Sequence, residues 1–311
     1  MDLERPNRSG CLDFFSAYKT LRNRWRPYRR KSIIFRCLEV LKKPHVDQVS
    51  ALHEYPWQVL LLLKWVCQDQ QMHPNLGIEI PTEEFFQLRE QLFQLPSITD
   101  MGSRDNLPLK LWLRQLLRPQ IGFQRSLSQS FIRDAALILS LDSSGKLEAE
   151  FSRKTGIQLE TFIDLLIACY AAIVAGQMQF AIGWFAPLSA KYGSEQILRF
   201  LELVSATEES LVRYFRALPD ARRKVASEYF EFPAVVRFPL YREANVLHAW
   251  NLQVFYRAME NMVHAVLSES GHAYTEKFGK VFETHVLAES ELCGGQLIPE
   301  KELANLVPVG T

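Results

Sequence analysis

Cysteine is scarce in this chain and badly spaced for chemistry. The five cysteines, Cys11, Cys37, Cys67, Cys169 and Cys293, are an odd number, and no two stand at the C-x-x-C spacing of a zinc or redox site. Reduced thiols in a cytoplasmic protein are the simplest reading. Long hydrophobic runs are missing too. VLLLL at Val59–Leu63 is cut by Lys64, and LLIACYAAIVAG at Leu165–Gly176 follows Asp164 and falls short of the ~20 residues that a membrane span needs. The opening MDLERPNRSG lacks the apolar core of a signal peptide. The chain is expected to be cytoplasmic, without membrane contact. An excess of one charge is also absent: the formal net charge is +1, so any electrostatic partner site is local.

The familiar catalytic signatures are missing as well. There is no G-x-x-x-x-G-K-[ST], no G-x-G-x-x-G and no G-x-S-x-G, so nucleotide hydrolysis, dinucleotide binding and α/β-hydrolase chemistry lose their usual support. His45, His53, His73, His248, His264, His272 and His285 never form H-E-x-x-H. HEYPW at His53 lacks the second histidine and carries Pro56 inside it. No metal ligand set is readable, and no cofactor is implied by these residues.

What the chain does have is apolar material, 48% of its residues, arranged mostly at helical spacing. From Cys11, Leu12, Phe15, Tyr18, Leu21 and Trp25 recur every three to four residues. KSIIFRCLEVLKK, from Lys31, does the same and stops at Pro44. Pro56 splits a short helix from a longer one within Asp47–Gln71. Thr82 is an expected N-cap, with Glu83 and Glu84 in the first turn. Further helices are expected from Leu107 and across Gln120–Leu141. Ser205 with Glu208 three residues on has the letters of a capping box. SEYFEFPAVVRFPLYREANVL, from Ser227, alternates instead and contains Pro233 and Pro239, which predicts one or two short extended segments near 230–248. The fold class expected is mainly α, a multi-helix bundle. A composition change suggests a helical domain over 1–229 and a second region over 230–311.

One local charge cluster stands out. KTLRNRWRPYRRK places Lys19, Arg22, Arg24, Arg26, Arg29, Arg30 and Lys31 together without an acid, with Trp25 and Tyr28 interleaved. Cations can neutralise phosphates, and aromatic rings can stack on unpaired bases. The competing expectation is that Leu21 and Trp25 lie on a buried face while the arginines are solvated or pair with acids elsewhere. A second candidate, GKLEAEFSRKTGIQLETFIDLLIACYAAI from Gly145, has the turn glycine of a helix-turn-helix. Its second helix begins with Gln158, Glu160, Thr161 and Asp164, however, and acids there would be repelled by DNA. A packed helical hairpin is the expectation.

Near the far end, EKFGKVFETHV puts Glu276, Gly279 and Glu283 on one helix side, with Phe278 and Phe282 expected as a buried stripe. A helical glycine costs about 1 kcal/mol against alanine, so a close neighbour is expected at Gly279. FGKVFETHV resembles the GxxFExxV signature of the first core helix of PD-(D/E)xK, or restriction-endonuclease-like, nucleases. The resemblance implies that Glu283 is the helix acid supporting a Mg²⁺ site, with Glu276 beside it. The preceding helical region is similar in organisation to the helical front half of bacterial phage-defence proteins that carry such a nuclease. The match covers only about Tyr274–Val286. The family also needs an Asp on one strand and a (D/E)-x-K pair on the next, to hold Mg²⁺ and assist the attacking water. No lysine in this chain has Asp or Glu two residues before it.

The functional expectation is therefore a non-catalytic helical module of a bacterial anti-phage defence system. It would sense nucleic acid or a phage protein, with a partner nuclease chain supplying catalysis. One alternative is a Mg²⁺-dependent nuclease with an unorthodox site, Glu283 joined by Glu300 and Glu302. Another is an interaction scaffold with no nucleic-acid role.

Overall fold

The structure, a computed structural model, describes residues 14–43, 56–72, 77–98, 137–139, 144–219, 228–229, 231–268 and 271–292. The expected helix start at Cys11, the short helix before Pro56, the run from Leu107 and most of 120–141 lie outside them, as do Glu300 and Glu302. The described residues are mainly helical, with a small sheet.

Helices α1 (Phe14–Trp25) and α2 (Arg30–Lys42) flank Pro27, which ends the first run. The buried stripe of α1 is Phe14, Ala17, Tyr18, Leu21 and Trp25, whereas Phe15 is exposed. The expected stripe is thus shifted by one residue at its start, because 14, 18, 21 and 25 follow the 3.6-residue period more closely than 15 does. Helix α3 (Pro56–Gln68) opens on its proline, where the missing N–H leaves no intrahelical bond unmade. It is buried on every side from Val59 to Gln68, which is why its sequence has no polar face. It packs against α2, α4 (Thr82–Ile98) and, further along the chain, the helix Glu208–Ala217. Trp65 of α3 meets Phe14, Tyr18 and Tyr229 edge-on at 6.3, 5.1 and 5.7 Å.

Helices α5 (Lys146–Thr155) and α6 (Leu159–Val174) fall where two helices were expected, but they meet at a bend of 68° rather than folding back on each other as the expected hairpin. Gly156 ends α5 in the left-handed conformation, φ +73°, and returns its N–H to the Ser152 oxygen. Strand β1 (Gln179–Ala181), a 3₁₀ turn, α7 (Ala186–Tyr192), α8 (Ser194–Val204), β2 (Ser205–Ala206) and α9 (Glu208–Ala217) follow. Then come β3 (Leu240–Glu243), β4 (Val246–Ala249), α10 (Leu252–Ser268) and α11 (His272–Leu292).

The sheet order is β1-β4-β3-β2, with β2 parallel to β3 and the other pairs antiparallel. The hairpin of β3 and β4 falls where extended segments were expected. Strands β1 and β2 were not foreseen: two or three residues are too few to display alternation. The capping box is also displaced. Ser205 lies in β2 and donates to the Leu201 oxygen, while Thr207 caps α9 through a reciprocal pair with Ser210. An N3 serine closes the box that a glutamate was expected to close.

Contacts group the described residues of 1–127 and 167–258 into one compact unit and those of 128–166 and 259–311 into another. In the second unit Phe151 packs on Phe162 at 5.2 Å, and the Lys154 ammonium donates to the Val266 oxygen at 3.0 Å. Among the described residues no single helix is long and apolar enough to cross a membrane.

Candidate functional site

A helix leaves its last carbonyls without intrahelical partners. At the end of α3 those oxygens are buried, and arginines satisfy them. Arg30, in the first turn of α2 and only 3% exposed, donates Nη2 to the Met72 oxygen at 2.6 Å and to the Asp69 oxygen at 3.4 Å. Its Nε donates to the Val66 oxygen at 3.4 Å and its Nη1 to Glu208 at 3.2 Å. Arg216 of α9 donates Nη2 to the same Asp69 oxygen at 2.9 Å. Positive charge at a helix C-terminus also complements its dipole. The Asp69 carboxylate accepts from the Trp25 indole at 3.1 Å, the Gln71 amide at 3.0 Å and both forks of Arg26 at 2.9 and 3.1 Å. Burial pushes the Asp69 carboxyl up, but these donors outweigh it and hold the group below its ordinary value.

Beside this junction lies an open cleft of about 760 Å³. Arg30, Gln70, Gln71 and Met72 line it together with residues of α9. Leu211 and Phe215 turn the apolar face of α9 inward. The residues between them in the helical cycle, Glu208, Glu209, Val212, Arg213 and Arg216, therefore face the cleft. Lys31 completes the lining and pairs with Glu243. Burial pushes the Glu208 carboxyl up despite the neighbouring Arg30. Burial lowers the Arg216 guanidinium, and the positive charge of Arg30 lowers it further. Arg213 has no ion-pair or hydrogen-bond partner among the described residues.

The basic stretch divides into two sets. Arg24 donates Nε and Nη2 to Glu84 at 2.9 and 2.6 Å and reaches Gln87 at 2.8 Å. Arg26 holds Asp69, Arg30 holds Glu208, and Lys31 holds Glu243. Trp25 is fully buried, which leaves no ring face for a base. Lys19, Arg22 and Arg29 have no carboxylate partner among the described residues. Arg22 lies over the Tyr18 ring at 5.9 Å, and Arg29 donates to the Gly77 oxygen at 2.8 Å. Tyr28 is half-buried, and its backbone bridges to Ile78.

Glu276 and Glu283 lie exposed on α11, with Glu276 paired to Lys280 at 3.1 Å. Two expectations for this helix are corrected. A Cβ at Gly279 would meet nothing within 4 Å, so no close neighbour explains the glycine. Phe282 is 46% exposed, and the packed aromatics are instead Tyr274 and Phe278. These meet His264, whose Nδ1 lies 2.8 Å from the Tyr274 hydroxyl. Among the described residues no group of three or more His, Cys, Asp or Glu side chains is placed to hold a metal.

Comparison with protein-family models, with curated proteins and with solved structures finds no match. The cleft was missed in the sequence because its walls come from distant segments. Arg30 and Glu208 are 178 residues apart, and nothing local in SATEESLVRYFRAL marks Arg213 or Arg216 as more than a wet helix face.

Proposed function

We propose that the chain is a non-catalytic recognition module that binds a phosphate-bearing ligand, nucleic acid in particular, as a sensor in a bacterial anti-phage defence system. Any nuclease chemistry belongs to a partner. One observation carries the binding part of this reading. The basic stretch ends in a cleft where Arg30 and Lys31 meet Arg213 and Arg216 against only Glu208 and Glu209. The defence setting rests on the resemblance of FGKVFETHV alone. Fluorescence anisotropy with labelled single-stranded DNA, single-stranded RNA and duplex is the test. Binding that falls steeply with salt and weakens in Arg213→Glu supports the reading. No affinity at low salt for any of the three sinks it.

The scaffold reading keeps one observation in its favour. Phe282, Val286 and Leu287 leave large apolar surface exposed on α11. Pull-down that depends on Phe282 without any nucleic-acid affinity would favour it.

A further inference from the structure

The cleft carries more information than its net charge, because its lining is ordered along α9. Glu208 and Glu209 occupy the first turn, Arg213 follows one turn on, and Arg216 stands about 10 Å from Glu209 at 1.5 Å per residue. The cationic end is under-compensated. Among the described residues Arg216 shares the Asp69 carbonyl with Arg30 and has no carboxylate partner, and Arg213 has no ion-pair or hydrogen-bond partner. Arg213 and Arg216 are both exposed and stand three residues apart on one side of α9, and neighbouring guanidiniums without a carboxylate favour an anion between them. The acidic end demands the reverse. A strand running through the cleft would lay phosphates against Glu208 and Glu209 as well as against the arginines.

A nucleoside phosphate has the matching composition. Its dianionic phosphate sits at one end, and its sugar hydroxyls and base amino groups are donors that carboxylates accept. The volume, about 760 Å³, lies inside the range of small-ligand sites. Val212 and Met72 add apolar surface to the lining, and the amides of Gln70 and Gln71 can read polar edges.

We propose that the cleft is a nucleotide site. Arg213 and Arg216 hold the phosphate, and Glu208 and Glu209 accept from the sugar or base. This inference rests on the reading above, and narrows it to a nucleoside monophosphate, either free or as the phosphorylated end of a strand.

The test is isothermal titration calorimetry on the full chain with the ribonucleoside 5′-monophosphates, with adenosine and with inorganic phosphate. At least one monophosphate is expected to bind about tenfold more tightly than phosphate or adenosine. Arg213→Glu should weaken it about tenfold or more without changing the melting temperature, since Arg213 bonds to nothing among the described residues. Glu209→Gln should weaken the nucleotide while leaving inorganic phosphate unchanged or tighter, which no purely structural effect would produce. A single strand with and without a 5′-phosphate identifies the source: preference for the phosphorylated strand assigns the strand end, and equal binding assigns the free nucleotide. The proposal is overturned if no monophosphate binds, if phosphate alone binds as tightly, or if Arg213→Glu binds as the parent does. Strand binding with normal salt dependence but no monophosphate binding removes the nucleotide site and leaves the broader reading intact. Loss of both removes both.

Discussion

Arg30 and Arg216, which approach from α2 and α9, donate to a single main-chain oxygen, that of Asp69, at 3.4 and 2.9 Å. Two cations converge on one neutral acceptor because that acceptor closes the buried end of α3, where carbonyl oxygens outnumber N–H donors. The same convergence leaves positive charge facing the cleft. The two arginines differ in burial: Arg30 is almost wholly buried, while Arg216 keeps contact with solvent.

Arg30→Ala should therefore be the most damaging substitution in this region. It strands the Val66 and Met72 oxygens and leaves Glu208 without its partner. Removal of one member of a buried ionic network costs about 3–5 kcal/mol. Arg216→Ala removes one hydrogen bond at a wetter position and should cost on the order of 1 kcal/mol. Urea denaturation of the two variants reads the difference. Equal losses would mean that α3 does not depend on Arg30.

Much of the helical frame was legible beforehand, and the reasons are local. Leu21 and Trp25 declared a buried face, Pro44 the stop of the helix from Lys31, and Gly156 a turn, because spacing, ring closure and a left-handed backbone each act within a few residues. The hairpin of Leu240–Ala249 showed through its alternation. Strands β1 and β2 stayed hidden because their pairing partners, not their letters, make them strands. The cleft stayed hidden for the same reason at longer range. Nothing beside Arg30 indicates that Glu208 faces it, and only the packing of α9 on α3 brings them together.

Gly77 is a position where backbone geometry fixes the residue type. Its φ is +110°, and a Cβ would stand 2.7 Å from the Pro27 oxygen and 2.9 Å from the Tyr28 carbonyl carbon. Ile78 and Arg29 exchange main-chain hydrogen bonds with this loop at 3.1 and 2.8 Å. Gly77→Ala should destabilise by at least about 1–3 kcal/mol, from the φ strain alone. The neighbours are backbone atoms, so relaxation would disturb the bridge between Tyr28 and Ile78. A thermal melt equal to the parent's would contradict this packing.

Lys42 and His248 give a prediction about pH. The Lys42 ammonium lies 3.0 Å from His248 Nδ1, and burial lowers its pKa to about 8 from the ordinary 10.5. Between those values the unfolded chain binds the proton that the folded chain has released, so Lys42 makes stability rise with pH across that window. The buried thiols of Cys37, Cys67 and Cys169 are pushed up and act in the opposite direction, since the unfolded chain ionises them first. The sign is therefore read as a difference. Relative to Lys42→Met, the parent should gain stability from pH 8 to pH 10.5. Burial and Lys42 also hold His248 below 6.5, which adds a loss of stability as pH falls below that value. Urea midpoints of parent and variant that stay parallel across the alkaline window would refute the Lys42 assignment.

The basic stretch separates cations paired with carboxylates in the fold from cations without a carboxylate partner among the described residues, and salt dependence distinguishes them. Arg24 and Arg26 are committed to Glu84 and Asp69, whereas Lys19, Arg22 and Arg29 have no carboxylate partner among the described residues. If single strands engage the stretch, each phosphate contact adds roughly 0.7 to the slope of log affinity against log salt. The combined Lys19→Ala, Arg22→Ala and Arg29→Ala variant should then flatten the slope by up to about 2 while losing only modest stability, from the Arg29 bond to the Gly77 oxygen and the Arg22 contact with Tyr18. Arg24→Ala and Arg26→Ala should lower the melting temperature and leave the slope alone, because their charges are already neutralised within the fold. Anisotropy titrations at several salt concentrations, run beside thermal melts, measure both quantities. An unchanged slope in the triple variant would move the whole electrostatic contribution to the cleft, onto Lys31, Arg213 and Arg216.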